Sequence, residues 1–214
     1  MTDRGWLAPL TGLAFFLLSI IVFTTMGEPP DVDAPTQEIV DFYVDNEGKQ
    51  LLGGLLEGIA GTLFVIFGAL VLRELRAAEG DRAILGYVAL AGTIVFAVGL
   101  AIDATITFTL VETAEEIDPS AVQALTALWH NDFVPFALGM QIFLLGAGIG
   151  IVRYGILPKW IGWVAIVLAV LALSPIGFVA FIGSGFLVAI MSVLMAMRAR
   201  PRREPVVPTT PAAL

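Results

Sequence analysis

The charged residues of this chain change sign in step with its long apolar runs, and that pattern constrains the fold more than any other feature. Segments that carry Lys and Arg alternate with segments that carry almost only Asp and Glu, and apolar runs separate the two kinds. In membrane proteins the loops rich in Lys and Arg stay on the cytoplasmic side. A cytoplasmic N-terminus leaves Lys49 as the single outer basic residue and places the others inside: Arg4, Arg73, Arg76, Arg82, Arg153, Lys159, Arg198, Arg200, Arg202 and Arg203.

The lengths of the apolar runs can be compared with the bilayer, whose core of about 30 Å is crossed by a helix of roughly 20 residues. The stretch from Trp160 to Met197 is too long for one crossing at about 1.5 Å per residue, and a turn is predicted in the interval from Ser174 to Gly185, which also contains Pro175, Gly177 and Gly183. We therefore predict two spans there and six in all. The predicted spans cover residues 6–26, 50–72, 83–110, 133–152, 160–175 and 178–197.

Composition supports the same class, because 58% of the residues are hydrophobic and 14% are charged. The sequence predicts an all-α, polytopic transmembrane helical bundle over residues 1–197, with both termini cytoplasmic, in a plasma membrane. A cleaved signal peptide is the less favoured interpretation of the first run, which is long for one. The Arg- and Pro-rich tail, residues 198–214, is predicted to be disordered.

Two short amphipathic helices are predicted on the outer surface. In the first, from Thr36 to Asn46, Ile39, Val40 and Tyr43 share one helical face. The second begins at Asp118-Pro119, a helix cap followed by a first-turn proline. These helices either order the loops or bind something at the membrane surface.

Acidic residues inside the predicted spans are the strongest functional candidates. Glu57 and Asp103 each lie about 10 Å from the outer end of a span, where an ionisable group is costly and faces protein or water. Asp132 lies at the rim of the fourth span, next to His130. We predict a polar vestibule that opens outward, formed by Glu57, Asp103 and Asp132 with His130 at its mouth.

Small residues follow the acids at helical spacing and predict which faces are buried. Glycines allow close approach of helices in a membrane, so the faces that carry the acids should point into the bundle. The alternative for the acids is a purely structural role, in which they hydrogen-bond to neighbouring helices or extend to the surface. The glycines predicted to pack between helices are Gly54, Gly58, Gly61, Gly92, Gly99, Gly139, Gly146 and Gly150.

Several function classes are disfavoured by what the sequence lacks. It has no Cys and one His, so a thiolate site or a multi-His metal site cannot form within the chain. No catalytic motif and no basic patch is present, and the net charge is -8, so we predict neither enzyme, metal, cofactor nor nucleic-acid partner. Two functions remain: binding or passage of a proton, cation or small cationic molecule at the acids, or a structural or regulatory subunit that binds a membrane protein partner or a second copy.

Two segments carry a resemblance to a known group. The run Asp41-Phe42-Tyr43-Val44-Asp45-Asn46 precedes the second span, and Arg153-Tyr154-Gly155-Ile156-Leu157-Pro158-Lys159-Trp160-Ile161-Gly162-Trp163 joins the fourth to the fifth. Together with the layout they resemble a broad group of six-span bacterial integral membrane proteins of unknown function. The resemblance implies the fold over most of the chain and implies no activity.

Overall fold

The computed structural model describes residues 5–80, 83–172, 174 and 177–199, and within these ranges it is built of helices and turns without a strand. A 3-10 turn at Gly5–Leu10, which contains Pro9, leads into the first α-helix. The α-helices are α1 (Thr11–Met26), α2 (Thr36–Asp45), α3 (Glu47–Glu79), α4 (Ile84–Thr113), α5 (Pro119–His130), α6 (Phe133–Tyr154), α7 (Lys159–Leu171) and α8 (Gly177–Ala199).

Five helical segments in the described part of the chain are long and apolar enough to cross a membrane. They are Gly5–Met26, Glu47–Glu79, Ile84–Thr113, Pro119–Tyr154 and Gly177–Ala199. The chain is therefore an all-helical protein with the character of a membrane protein.

Within the predicted fifth span, residues 160–175, the structure describes one short helix. The apolar helix α7 has 13 residues, a length of about 20 Å at 1.5 Å per residue, which is short of the bilayer core. The helix does not continue past Leu171, whose carbonyl would accept from residue 175 in a longer helix, because Pro175 has no N–H; the backbone N–H and the hydroxyl of Ser174 donate to this carbonyl instead. The turn between α7 and α8 thus lies near the start of the predicted interval, although Pro175 is outside the described residues.

The long helices form a closed ring with antiparallel neighbours. Around the ring, α1 packs on α3, α3 on α4, α4 on α6, α6 on α7, α7 on α8, and α8 again on α1. At one end, which we call the basic end, Pro9, Arg73, Ile156 and Arg198 line one small cavity. At the other end, which we call the capped end, α2 and α5 pack together over the bundle.

The centre of the bundle is an aromatic core. Phe64 is fully buried. Its ring stacks on that of Phe15 with centroids 4.4 Å apart, and it meets the rings of Phe96 and Phe143 edge-on at 5.1 Å. Edge-to-face and offset pairs are the favoured geometries for aromatic rings. This core fixes the rotation of α1, α3, α4 and α6 about their axes.

Of the eight glycines predicted to pack between helices, seven lie against a neighbouring element and one does not. A Cβ atom on Gly146 would lie 2.6 Å from the backbone nitrogen of Ala89, so α4 and α6 approach as closely as glycine permits. Gly58 is the exception, because nothing lies within 4 Å of its Cβ position. One residue of helix turns Gly58 about 100° away from Glu57, which takes it off the buried face. The glycines that do meet a neighbouring element are Gly54, Gly61, Gly92, Gly99, Gly139, Gly146 and Gly150.

Both predicted surface helices are present, as α2 and α5, and they share one small hydrophobic core. Ile39 of α2 and Val122 of α5 are fully buried there, together with Leu110 of α4. The carboxylate of Asp118 accepts hydrogen bonds from the backbone N–H and hydroxyl of Ser120 at the start of α5. Those hydrogen bonds lower the pKa of Asp118.

The predicted tail begins later than expected. Arg198 and Ala199 belong to the last turn of α8, and the Arg198 guanidinium donates to the carbonyl oxygen of Ile156. Residues 200–214, for which disorder is predicted, lie outside the described residues, as do Arg4 and Arg82.

Candidate functional site: a buried carboxyl cluster

Glu57 and Asp103 lie at the same depth in the bundle, on facing sides of α3 and α4. A Cβ atom on Gly54 would lie 2.6 Å from the Phe108 ring, and one on Gly61 would lie 3.3 Å from Ala97 Cβ. These two contacts bracket Glu57 and set its position opposite Asp103. Both acids are buried, with 5% and 7% of their surface exposed.

Asp132 reaches the same position from the junction of α5 and α6. The chain leaves α5 at His130 and enters α6 at Phe133, so Asp132 stands at the N-cap position of α6. The Asp103 side chain lies within hydrogen-bonding reach of the side chains of Glu57, Asp132 and Trp129. We call Glu57, Asp103 and Asp132 the carboxyl cluster.

No cationic side chain in the described part of the chain pairs with the cluster. The ion pair among the described residues joins Arg73 to Glu74 near the basic end, with 2.9 Å between the charged atoms. Lys49, the basic residue nearest in sequence, donates to the side-chain oxygen of Asn46. The three carboxyl groups therefore face one another without a protein counter-charge.

Several buried polar atoms in the cluster have no hydrogen-bond partner. They include Glu57 Oε2, Asp132 Oδ2 and Thr107 Oγ1. Thr107 lies one turn from Asp103 on the same face of α4 and is 1% exposed. Elsewhere on α4, the hydroxyl of Thr105 donates to the carbonyl of Ala101 at 2.7 Å, as serine and threonine commonly do in a helix. The Thr107 hydroxyl makes no such bond, so it is available to a ligand.

The cap helices cover the cluster from above. Tyr43 of α2 is 2% exposed, and its hydroxyl oxygen lies 3.4 Å from that of Thr126 on α5. Burial raises the pKa of Tyr43 to about 12; the hydrogen bond with Thr126 opposes this rise, and the charge of Asp103 adds to it. Tyr43 thus lies close enough to Asp103 for the charge of Asp103 to affect the pKa of Tyr43.

The site is closed, in contrast to the predicted open vestibule. The sequence does not show that the apolar faces of α2 and α5 meet each other rather than the membrane, and their contact covers the capped end of the bundle. Gln123 of α5 also donates to the carbonyl of Val32, at 2.6 Å. Asp132 alone is half-buried, so it marks the edge of the cluster.

His130, predicted at the mouth of the site, is directed elsewhere. Its Nδ1 lies 2.9 Å from the carbonyl oxygen of Thr126, one turn back in α5. Its ring meets Trp129 edge-on, with centroids 5.2 Å apart. The structure brings Glu57, Asp103 and Asp132 together and leaves His130 out of their hydrogen-bonding contacts.

The sequence does not indicate the positions of Trp129 and Tyr43 beside the cluster. Trp129 fits an interfacial tryptophan and Tyr43 fits the apolar face of a surface helix, so nothing in either pattern indicates contact with a carboxyl group. Thr107 carries a usable signal, since it follows Asp103 by four residues. Among the described residues, no group of three or more His, Asp or Glu side chains is arranged to hold a metal ion.

Comparison of the sequence with models of known families finds no match, and comparisons with curated proteins and with solved structures find none either. The resemblance to six-span bacterial membrane proteins therefore stays a prediction.

Proposed function

We propose that this protein binds protons at the carboxyl cluster and exchanges them for a cation. The observation that supports this most directly is the position of Asp103, within hydrogen-bonding reach of both Glu57 and Asp132. An ionised carboxylate has only acceptors. Each hydrogen bond between two carboxyl groups thus requires a proton held between them.

Electrostatics supports the same function. Like charges in contact disfavour one another, so adjacent carboxyl groups cannot all be ionised in a buried site. The cluster then has two ways to be stable: it keeps protons, or a bound cation replaces them. Such a site titrates as one unit rather than as three separate acids.

We propose further that the chain crosses a bacterial plasma membrane six times, with both termini in the cytoplasm. The fifth crossing would consist of α7 and the connection that follows it. The distribution of Lys and Arg supports this orientation. The Ser192 hydroxyl donates to the carbonyl of Pro9 at 2.6 Å, which holds α8 beside the turn at Gly5–Leu10 and supports placing both termini on one side of the membrane. The carboxyl cluster would then lie toward the outer leaflet.

The cap would control access to the cluster. A cation approaching from the outer surface meets α2 and α5, which are joined by their shared apolar core and by the Gln123 hydrogen bond to Val32. Separation of these helices would expose Tyr43 and Thr126, and beneath them Asp103. Passage of a proton or cation, as opposed to binding alone, would require this opening.

The test is the melting temperature of the purified protein across pH and a panel of monovalent and divalent cations. A folded state that holds more protons than the unfolded state loses stability as pH rises, and a cation that binds only the folded state restores it. We expect both effects in the wild type and neither in a Glu57→Gln, Asp103→Asn variant.

A matched control is the variant Glu38→Gln, Asp45→Asn, which makes the same chemical change at two exposed acids of α2. It should keep the behaviour of the wild type. If the wild type and the cluster variant melt alike under all conditions, the acids are structural. Copurification with one membrane protein, unaffected by either variant, would then favour the alternative function of a partner-binding subunit.

A further inference from the structure

An apolar groove opens on the side of the bundle between α1 and α8. Its cavity volume is about 380 Å³, more than twice the roughly 150 Å³ at which an apolar protein cavity already binds benzene. Buried side chains form its floor and exposed rings form its walls. The floor is Phe15, Phe96 and Met140, and the walls include Phe23, Phe178 and Phe186.

The groove faces the hydrocarbon of the bilayer rather than water. Its walls are the exposed faces of two helices that are apolar enough to span a membrane, and Phe23 is 77% exposed. Ser19, the polar residue in the lining, donates its hydroxyl to the carbonyl of Phe15 at 3.0 Å, so it adds no free donor. The chemistry of the groove therefore suits an alkyl chain or an aromatic ring.

The outer end of the groove lies at the depth of the carboxyl cluster. Two contacts fix the antiparallel register of α1 against α3: Met26 meets Gly53, and Phe15 stacks on Phe64. Between these contacts, the same register places Glu57 level with Val22. Val22 directly precedes Phe23 of the groove wall.

Asp132 approaches the groove from α6. It directly precedes Phe133, whose ring centroid lies 5.2 Å from that of Phe181, another lining residue. The rings of Phe133 and Phe181 thus lie between the groove and the edge of the cluster, and one ligand can occupy both only when these rings turn aside.

We propose that the groove and the carboxyl cluster form a single site for an amphiphilic ammonium ion, which would be the cation exchanged for protons. This inference rests on the proposed function. The apolar chain would occupy the groove, and the ammonium group would donate hydrogen bonds to Glu57, Asp132 and the Thr107 hydroxyl. The unpartnered oxygens of those residues are acceptors that an ammonium group can satisfy. A neutral lipid chain would fill the groove but leave them unsatisfied.

The experiment measures binding of three probes to the protein in lipid nanodiscs by equilibrium dialysis, with protein-free nanodiscs subtracted. Decylammonium carries both chain and charge, decanol carries the chain alone, and methylammonium carries the charge alone. We expect decylammonium to bind about tenfold more tightly than either, the effect of one charge-assisted hydrogen bond. The Glu57→Gln, Asp103→Asn variant should reduce decylammonium binding to the level of decanol.

Substitutions that fill the groove test its part in the site. A Cβ atom on Gly185 would lie 3.0 Å from the Phe16 ring, so Gly185→Leu should fill the groove and abolish decylammonium binding. Ser19→Phe is a second groove-filling variant in case the first misfolds. Gly58→Leu, a matched change at an open lipid-facing position, should bind like the wild type.

Three results would overturn the inference. They are equal binding of decanol and decylammonium, decylammonium binding that survives loss of the acids, and methylammonium binding as tight as that of decylammonium. The proposed function fails separately, if the melting temperature of the wild type does not depend on pH. The Gly185→Leu variant should retain that pH dependence.

Discussion

The aromatic core and the carboxyl cluster lie about two helical turns apart in the same bundle, yet they are built on opposite principles. In the core, Phe64 is surrounded by rings in favourable geometry. In the cluster, acids face one another and buried oxygens have no partner. Buried polar groups without partners cost stability. The core thus stabilises an arrangement in which the cluster is held unsatisfied, as the proposed ligand site would require.

The largest expected effect comes from the core. Phe64→Ala should lower the free energy of unfolding by about 3–5 kcal/mol, because it removes a fully buried ring and leaves a cavity. Unfolding by sodium dodecyl sulfate in mixed micelles measures this. If the folded variant keeps the pH dependence of melting, core and cluster are separable. A smaller decrease in the free energy of unfolding, together with a melting temperature that no longer depends on pH, would show that core and cluster are not separable.

Close packing between α4 and α6 gives the next effect. The Cβ position of Gly146 lies 2.8 Å from the carbonyl oxygen of Leu85, so Gly146→Ala should destabilise the protein by about 1–3 kcal/mol in the same assay. Gly58→Ala is the matched control at an open helical position and should be neutral or stabilising by up to about 1 kcal/mol. Similar destabilisation in both variants would show that α4 and α6 do not pack as closely as the Gly146 contacts indicate.

Two buried threonines of α4 test the difference between a hydrogen-bonded and an unpartnered hydroxyl. Thr93 donates to the carbonyl of Leu90 at 2.8 Å, so Thr93→Val should cost about 1 kcal/mol. Thr107 has no partner, so Thr107→Val should be neutral or stabilising by about 1 kcal/mol, while weakening decylammonium binding. A destabilised Thr107→Val protein would mean that this hydroxyl has a structural role.

The smallest effect lies outside the bundle, at the cap of α5. Hydrogen bonds from Ser120 lower the pKa of Asp118. The stabilisation by this carboxylate is therefore complete above its ordinary pKa of 3.8 and is lost as pH falls through the lower folded value. Asp118→Asn should slightly reduce the melting temperature at neutral pH, and the difference should shrink in acid. A constant difference would exclude this ionic contribution.

Much of the site follows from helical periodicity, and part of it does not. The glycines that recur with Glu57 and Asp103 at helical spacing indicate which faces are buried, because small residues allow helices to approach. No pattern within one helix indicates which helices are neighbours. Asp132 joins the other two acids only because α6 packs on α4 in a particular register, with Gly146 against Ala89.

The amino-acid sequence by itself determined the helical class, the presence of helices apolar enough to span a membrane, and the position of the acids along those helices, since these depend on composition and on periodicity within one segment. Tertiary structure alone decided that Tyr43 and Thr126 close over the cluster and that Trp129 reaches Asp103. Those outcomes depend on contacts between segments distant in sequence. Such contacts leave no periodic signal within one segment.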